Sequence, residues 1–443
     1  MTNSVNLRAV VLDILMEINE HHGFSHLVLN QALLKYQYLD KSQRGFITRV
    51  AQGTIEKKIQ LDYCINQFSK TPVNKCKPVI RGILEMAVYQ LLYMENIPQS
   101  AVCNEAVKLA VKKGFSPLRG FVNGVLRNIA RGLDDIKYPD EKKEPYKYLS
   151  VKYSMPEWIL DLWKDSYAYE TIVDILEGFS QDKKTFIRCN TLLKTPEEIK
   201  DILLEEKVTV NKVPGLSYAY EISGYDYLAD LDSFNAGLYQ IQDISSMRAG
   251  EIADPKCSDY VIDVCAAPGG KSIQAALKMH EDGIKLSQPV TGKVDSRDVS
   301  DYKIGLIQQN IERLGIPNID TKVWDATVLD EAMVEKADVV IADLPCSGLG
   351  IIGRKPDIKY QSSIEKLEEL VLLQRKILET VYKYVKKGGY LVYSTCTINK
   401  AENEDNADWI CEKLGFEKCG DYIQMLPYKE EYDGFFVAKL RKK

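Results

Sequence analysis

Apolar residues recur at helical spacing through the first third of the chain. Val11, Ile14, Leu15 and Ile18, then Ile80, Ile83, Leu84, Ala87 and Leu91, then Val122, Val125, Leu126 and Ile129 follow the i, i+3, i+4, i+7 rhythm of a buried helix face. The pattern predicts an all-α bundle over residues 1–135. Residues 132–147 (GLDDIKYPDEKKEPYK) carry charge and two prolines without apolar periodicity, which marks a linker. A strand-like TFIRCN (185–190) and a capped helix TPEEIKDILLEE (195–206) make 136–235 a linker with a small α+β module. From 236 to 443 strands and helices alternate, the rhythm of a parallel sheet covered on both faces. The predicted strands are DYVIDV (259–264), KVDSRD (293–298), TKVWD (321–325), DVVIAD (338–343) and GGYLVYST (388–395), with helices over YKIGLIQQNIERL and from Ser363 to Lys387.

Composition narrows the class. With 443 residues, 45% hydrophobic and 27% charged, the chain reads as a multidomain globular protein. Arg8, Asp13 and Glu17 interrupt the N-terminal segment, and no 18 uncharged apolar residues run together, so the expectation is a cytoplasmic protein with no membrane partner. Ten cysteines form no CxxC pair, and His21, His22, His26 and His280 do not fall at ligand spacing with them. No metal is expected, and each thiol is either a small buried hydrophobe or a reagent.

The net charge of −5 hides an asymmetry. Residues 1–145 hold 20 Lys and Arg against 14 Asp and Glu, whereas the remainder holds 38 against 49. Within the basic third, Arg119, Asn123, Arg127 and Arg131 recur every four residues, a polar stripe roughly 18 Å long at 1.5 Å rise per residue. Such a stripe can follow a phosphate backbone, and it equally suits a plain solvated face.

In a doubly wound sheet, ligands bind outside the carboxyl ends of the strands. After the first predicted strand comes Cys265-Ala266-Ala267-Pro268-Gly269-Gly270-Lys271-Ser272, and Asp298, Asp325 and Asp343 sit at the next three ends. Gly270-Lys271-Ser272 invites a phosphate-loop reading. That reading fails, because the required first glycine is Cys265 and Pro268 removes a backbone N–H from the cradle. No G-x-G-x-x-G stands in the turn after the first predicted strand, where a dinucleotide fingerprint belongs. A Gly-rich turn opening a helix, followed by acids at successive strand ends, suits a neutral or cationic nucleoside, with Asp298 for the ribose and Asp325 beside the base. S-adenosyl-L-methionine is such a ligand.

Cys346 and Cys396 lie just past the ends of two strands. Carbon 5 of cytosine is too weak a nucleophile to take a methyl group unless a thiolate first adds at carbon 6. An unperturbed thiol is only about 3% ionised at pH 7, and lowering its pKa to about 7 is worth roughly 2 kcal/mol, which a helix N-terminus or Lys271 can supply. A nearby carboxyl relieves the charge on the ring through N3, and Asp343 is three residues from Cys346.

IDVCAAPGGKS (262–272), ADLPCSGLG (342–350), KPDIKY (355–360), YSTCTINKAENE (393–404) and DGFFVAKL (433–440) resemble, in order and spacing, the motifs of the NOL1/NOP2/Sun group of RNA (cytosine-5) methyltransferases. QDISSM (242–247) resembles the segment just before that group's catalytic core. EMAVYQLLYMENIPQSAVCNEAVKLA and FVNGVLRNIAR resemble the RNA-binding NusB fold, and the combination resembles bacterial members of the group that act on 16S rRNA. The resemblance implies a Rossmann-like methyltransferase domain, with Cys396 as the nucleophile and Cys346 helping to release product. It also implies a cofactor loop from Cys265 to Lys271 and further cofactor acids at Asp298, Asp325 and Asp343. Asp295 rivals Asp298 for the ribose, because Asp295 and Ser296 place polarity inside a strand that should be buried. The expectation is a monomer acting on 16S rRNA. The competing readings are a NusB-like regulatory RNA-binding protein with an inactive methyltransferase domain, and a nucleotide hydrolase.

Overall fold

The computed structural model describes residues 5–428 and 433–443. It divides into two compact units. One comprises the described residues up to Ser180 together with Arg354–Ser362, and the other comprises Gln181–Gly353 and Ser363–Lys443.

The first unit is helical. Leu7–Glu20, Ser25–Lys35, Lys41–Glu56, Lys58–Phe68, Pro78–Tyr93, Gln99–Lys112 and Arg119–Arg131 pack around a common core that includes Leu12, Leu15, Ile47, Ile83, Leu84, Val122 and Ile129. Local chemistry starts these helices. Asn6 accepts from the Ala9 N–H, and Asp40 forms a reciprocal capping box with Gln43. The helix Arg119–Arg131 contains Gly120 and Gly124, each costing about 1 kcal/mol. Burial of Val122, Val125, Leu126 and Ile129, about 1.5–3 kcal/mol each, outweighs them. Beyond the 3-10 turn Leu133–Asp135 the chain turns helical again at Pro145, where a missing N–H costs nothing, and Pro145–Tyr153, Glu157–Lys164 and Tyr169–Ser180 complete this stretch.

Residues Arg354–Ser362 also belong to this unit, although they lie far along the chain. Asp357 accepts from the Ser25 N–H at 3.1 Å and from the Ser25 hydroxyl. The buried Lys359 donates from Nζ to the carbonyl of Glu56 at 2.9 Å, and the Tyr360 hydroxyl lies 3.3 Å from the carbonyls of Glu56 and Ser154. Burial pushes the Lys359 ammonium down to about 7.

The second unit holds two sheets. The smaller is antiparallel, order β2-β3-β1-β4, built from β1 (Thr185–Cys189), β2 (Thr209–Lys212), β3 (Ala219–Ser223) and β4 (Tyr239–Ile241). Its helix Pro196–Glu205 starts from a Thr195/Glu198 capping box. The larger contains β5 (Tyr260–Asp263), β6 (Lys293–Asp298), β7 (Ile319–Val323), β8 (Ala337–Asp343), β9 (Val385–Thr395), β10 (Phe416–Lys418), β11 (Ile423–Met425) and β12 (Phe435–Lys442). Its order is β10-β12-β9-β8-β5-β6-β7, with β11 also paired to β12. Strands β5 to β9 are parallel, and β12 runs antiparallel to β9. The chain order reverses at β5, which has β6 on one side and β8 on the other, the switch point at which such sheets open a crevice.

The structure shifts two expected elements. The strand expected at 321–325 is β7, Ile319–Val323, so Asp325 lies two residues past its end. The helix expected to Lys387 stops at Val381; after a 3-10 turn, β9 begins at Val385, which pairs with Ala337.

Candidate active site

Parallel pairing of β8 and β9 sets Asp343 opposite Ser394, so the loops that follow the two strands run side by side. Leu344 N–H donates to the Ser394 carbonyl at 3.1 Å, and Gly350 N–H donates to the Cys396 carbonyl at 3.1 Å. Cys346 and Cys396 are thereby brought together, Sγ to Sγ 3.1 Å, with the Cys396 N–H 3.3 Å from the Cys346 sulfur. The hydrogen bond with Cys396, together with burial, holds the Cys346 thiol well above its usual range. Gly434 N–H donates to the Gly350 carbonyl at 2.8 Å, and the tail packs so closely there that neither position has room for a side chain.

Asp343 stands at the base of this pair. Its Oδ1 accepts from the Ser394 hydroxyl at 2.8 Å, and its Oδ2 accepts from Lys271 Nζ at 2.7 Å. The Lys271 ammonium also donates to Ser246 Oγ at 3.2 Å and lies over the Phe435 ring at 5.1 Å. It is thus an ion-pair partner of Asp343.

The loop Cys265–Gly270 leaves β5 and opens the helix Gly270–Leu286 through Gly269, whose φ of +99° only glycine adopts readily. Ala266 N–H donates to the Arg297 carbonyl at 2.9 Å, and Ala267 N–H to the Asp298 carboxylate at 3.0 Å. Asp298 also accepts from Val299 N–H and Lys303, so the acid ending β6 is bound directly to the loop. Asp295 faces elsewhere: it pairs with Arg297 and accepts from Tyr260 OH at 3.2 Å. Ser296 meets the Ser272 hydroxyl at 2.8 Å, so the polar interior of β6 is fully partnered. Asp325 is exposed and accepts from Thr327 N–H and Oγ1, both at 2.8 Å, which holds its carboxyl below the usual range.

Two residues here escaped the sequence reading. Asp263 ends β5; burial raises its carboxyl to about 7, and its Oδ1 is a buried oxygen without a hydrogen-bond partner. Arg188 on β1 is buried and donates to the Gly270 carbonyl at 2.8 Å and to Gln240 Oε1 at 2.9 Å, bracing the loop from the smaller sheet. A charge inside the otherwise apolar TFIRC was the available signal. The orphaned Asp263 oxygen and the glycine turn fit a polar nucleoside cofactor held at the ends of β5 to β8.

On the helical unit, Arg119, Arg127 and Arg131 are exposed, and Asn123 accepts from Arg127 Nε at 2.9 Å. Among the described residues no cluster of His, Cys, Asp or Glu could hold a metal ion, and no helix is long and apolar enough to cross a membrane.

Comparison with known proteins supplies the family. Residues 251–441 match the family described as 16S rRNA methyltransferase RsmB/F, and residues 5–131 match the NusB family. The chain is 33% identical over 456 residues to the probable ribosomal RNA small subunit methyltransferase B of Bacillus subtilis (strain 168), covering 99% of each chain. It is 28% identical over 457 residues to ribosomal RNA small subunit methyltransferase B of Serratia proteamaculans (strain 568), covering 100% of both. The crystal structure of PH0851 superposes with a TM-score of 0.81 at 25% identity over 99% of each chain. NSun6 from Pyrococcus horikoshii, solved with SFG, shares the fold with a TM-score of 0.55 at 22% identity, over 69% of this chain and 98% of that one.

Proposed function

Because the chain belongs to the ribosomal RNA small subunit methyltransferase B family, we propose that it methylates carbon 5 of one cytosine in 16S rRNA, with S-adenosylmethionine as methyl donor. The observation that carries this reading is the thiol pair, 3.1 Å apart beside the Lys271–Asp343 ion pair. A single thiol serves many ends. Two thiols in contact, with Asp343 three residues before one of them, suit addition to a pyrimidine and its reversal.

When bound, the cofactor supplies an electrophilic methyl group on a sulfonium. The loop Cys265–Lys271, Asp298 and Asp263 would hold it, with Asp298 rather than Asp295 on the ribose and Asp325 toward the base. Cys396 Sγ adds to carbon 6 of the flipped-out base, which makes carbon 5 nucleophilic. The proton that the Cys396 thiol gives up ends on N3, whose N–H then donates to the carboxylate of Asp343, kept in place by Lys271 and Ser394, and this relieves the charge that addition puts on the ring. Once carbon 5 carries the methyl group, Cys346 helps remove its proton, and the carbon–sulfur bond to Cys396 then breaks. The exposed arginines of the helix Arg119–Arg131 contact rRNA phosphates.

The test is an asymmetry between two variants. Cys396→Ala is expected to abolish transfer of radiolabelled methyl to undermodified rRNA without trapping RNA, and Cys346→Ala to leave protein covalently joined to RNA on a denaturing gel. The reverse pattern would exchange the two roles. No transfer by wild-type protein with RNA and cofactor both bound would favour the regulatory, inactive reading.

A further inference from the structure

Glu402 is fully buried next to the thiol pair, and no step above uses it. It ends the short turn Lys400–Glu402, beyond Cys396. Its Oε2 accepts from the Ser347 N–H at 2.9 Å and from Gln374 Nε2 at 3.0 Å, while Oε1 accepts from Asn399 Nδ2 at 3.0 Å. Gln374 Nε2 also donates to the Pro345 carbonyl at 2.9 Å. One carboxylate is therefore tied to both neighbours of Cys346 and to the loop that follows Cys396. All three donors are neutral, so they satisfy its oxygens without cancelling its charge.

The ionisable groups facing Cys346 are the Cys396 thiol, Glu402 and the Tyr393 hydroxyl of β9, whose O–H donates to the Glu402 carbonyl. All of these are acids. The Gly348 N–H, in the loop of Cys346 itself, and the Cys396 N–H, 3.3 Å from the sulfur, are the backbone groups that favour a negative sulfur there.

We propose that Glu402 is a positioning residue for the thiol pair, clamping the Cys346 loop to the loop after Cys396 and keeping Cys346 protonated while Cys396 acts as nucleophile. The inference rests on the thiol chemistry proposed above. It explains how two neighbouring sulfurs take different roles: the buried charge opposes a second negative charge at Cys346 during the attack, and once the Cys346 thiol has passed its own proton to water, the same charge makes that sulfur the stronger base toward the hydrogen on carbon 5.

The test is alkylation by iodoacetamide of the full-length protein without RNA or cofactor, each cysteine followed by peptide mass spectrometry from about pH 6 to about pH 10. In the wild type, alkylation of Cys346 sets in only above the pH usual for a thiol. Glu402→Gln keeps the shape of the side chain and removes its charge. Alkylation of Cys346 near neutral pH is expected to rise at least about tenfold, its profile moving down by about one unit or more. An unmoved Cys346 profile in folded Glu402→Gln overturns the proposal. Should that variant not fold, Glu402→Asp keeps the charge and shortens its reach. It is expected to lower kcat at least about tenfold with cofactor KM within about twofold, and to leave the Cys346 profile at its wild-type position. Wild-type kcat in Glu402→Asp overturns the proposal. The alkylation arm needs no methyl transfer, so its failure is distinct from failure of the proposed function.

Discussion

Adding one methyl group at Gly350 strikes the link between the two cysteine loops. A Cβ there would lie 2.0 Å from the carbonyl oxygen of Gly434, 2.6 Å from its carbonyl carbon and 2.9 Å from the carbonyl oxygen of Cys396. All three atoms are backbone, so no rotamer change relieves the overlap; the chain must move by about 1 Å. That shift breaks the Gly350 N–H bond to Cys396 (3.1 Å) and the Gly434 N–H bond to Gly350 (2.8 Å). Two hydrogen bonds at about 1 kcal/mol each and overpacking at about 1–3 kcal/mol put the loss of stability at about 3–5 kcal/mol. A displacement of about 1 Å at the reacting groups costs about 100-fold in rate. Urea denaturation reads the first quantity, and radiolabelled methyl transfer to rRNA reads the second. Gly305→Ala is the control: no atom lies within 4 Å of its Cβ, it sits inside the helix Asp301–Leu314, and it should gain about 0.5–1 kcal/mol without loss of activity. Gly350→Ala within about 0.5 kcal/mol of wild type and with activity within about twofold would refute the reasoning.

Lys359→Met should change how stability depends on pH. The buried ammonium is held down at about 7 against about 10.4 in the unfolded chain, so the unfolded state binds more protons between those values and wild-type stability rises with pH across that window. The stability of the Met variant relative to wild type should therefore fall as pH rises from about 7 to about 10, by at most about 4 kcal/mol, and parallel curves in denaturant titrations would contradict this. Replacing Arg119, Arg127 and Arg131 by Gln should weaken rRNA binding and lower its salt slope by about one per lost phosphate contact, leaving cofactor affinity by calorimetry unchanged. Unchanged salt dependence would make that stripe a solvated face.

Elements with a strong local signature could be read from sequence. The helix Pro196–Glu205 carries its start signal in Thr195 and Glu198, and DVVIAD is a short apolar run ending in an acid, so both lie within a residue or two of where periodicity puts them. What depended on a distant partner could not. Val385 looks helical in its own neighbourhood but extends to meet Ala337. Phe435–Lys442 resembled a family motif, yet nothing in its sequence says that it runs antiparallel alongside β9. In β6, Asp295 looked misplaced because Arg297 and Tyr260, which satisfy it, are apparent only once the strands stack. Asp343, Cys346 and Cys396 were visible because the first ends a strand and the other two follow one. Glu402 was hidden because an acid four residues from Asn406 in a charged stretch reads as surface.

The insertion of Arg354–Ser362 into the helical unit has a consequence for synthesis. A chain emerging from the ribosome at about 5–20 residues per second exposes the first 180 residues roughly 9–35 s before the segment that completes their packing. Ser25, Glu56 and Ser154 therefore wait with their polar groups in water until Asp357, Lys359 and Tyr360 arrive. The N-terminal helices cannot reach their final form until most of the catalytic half has been translated, and chaperones would meet a nascent chain whose earliest part is among the last to be finished.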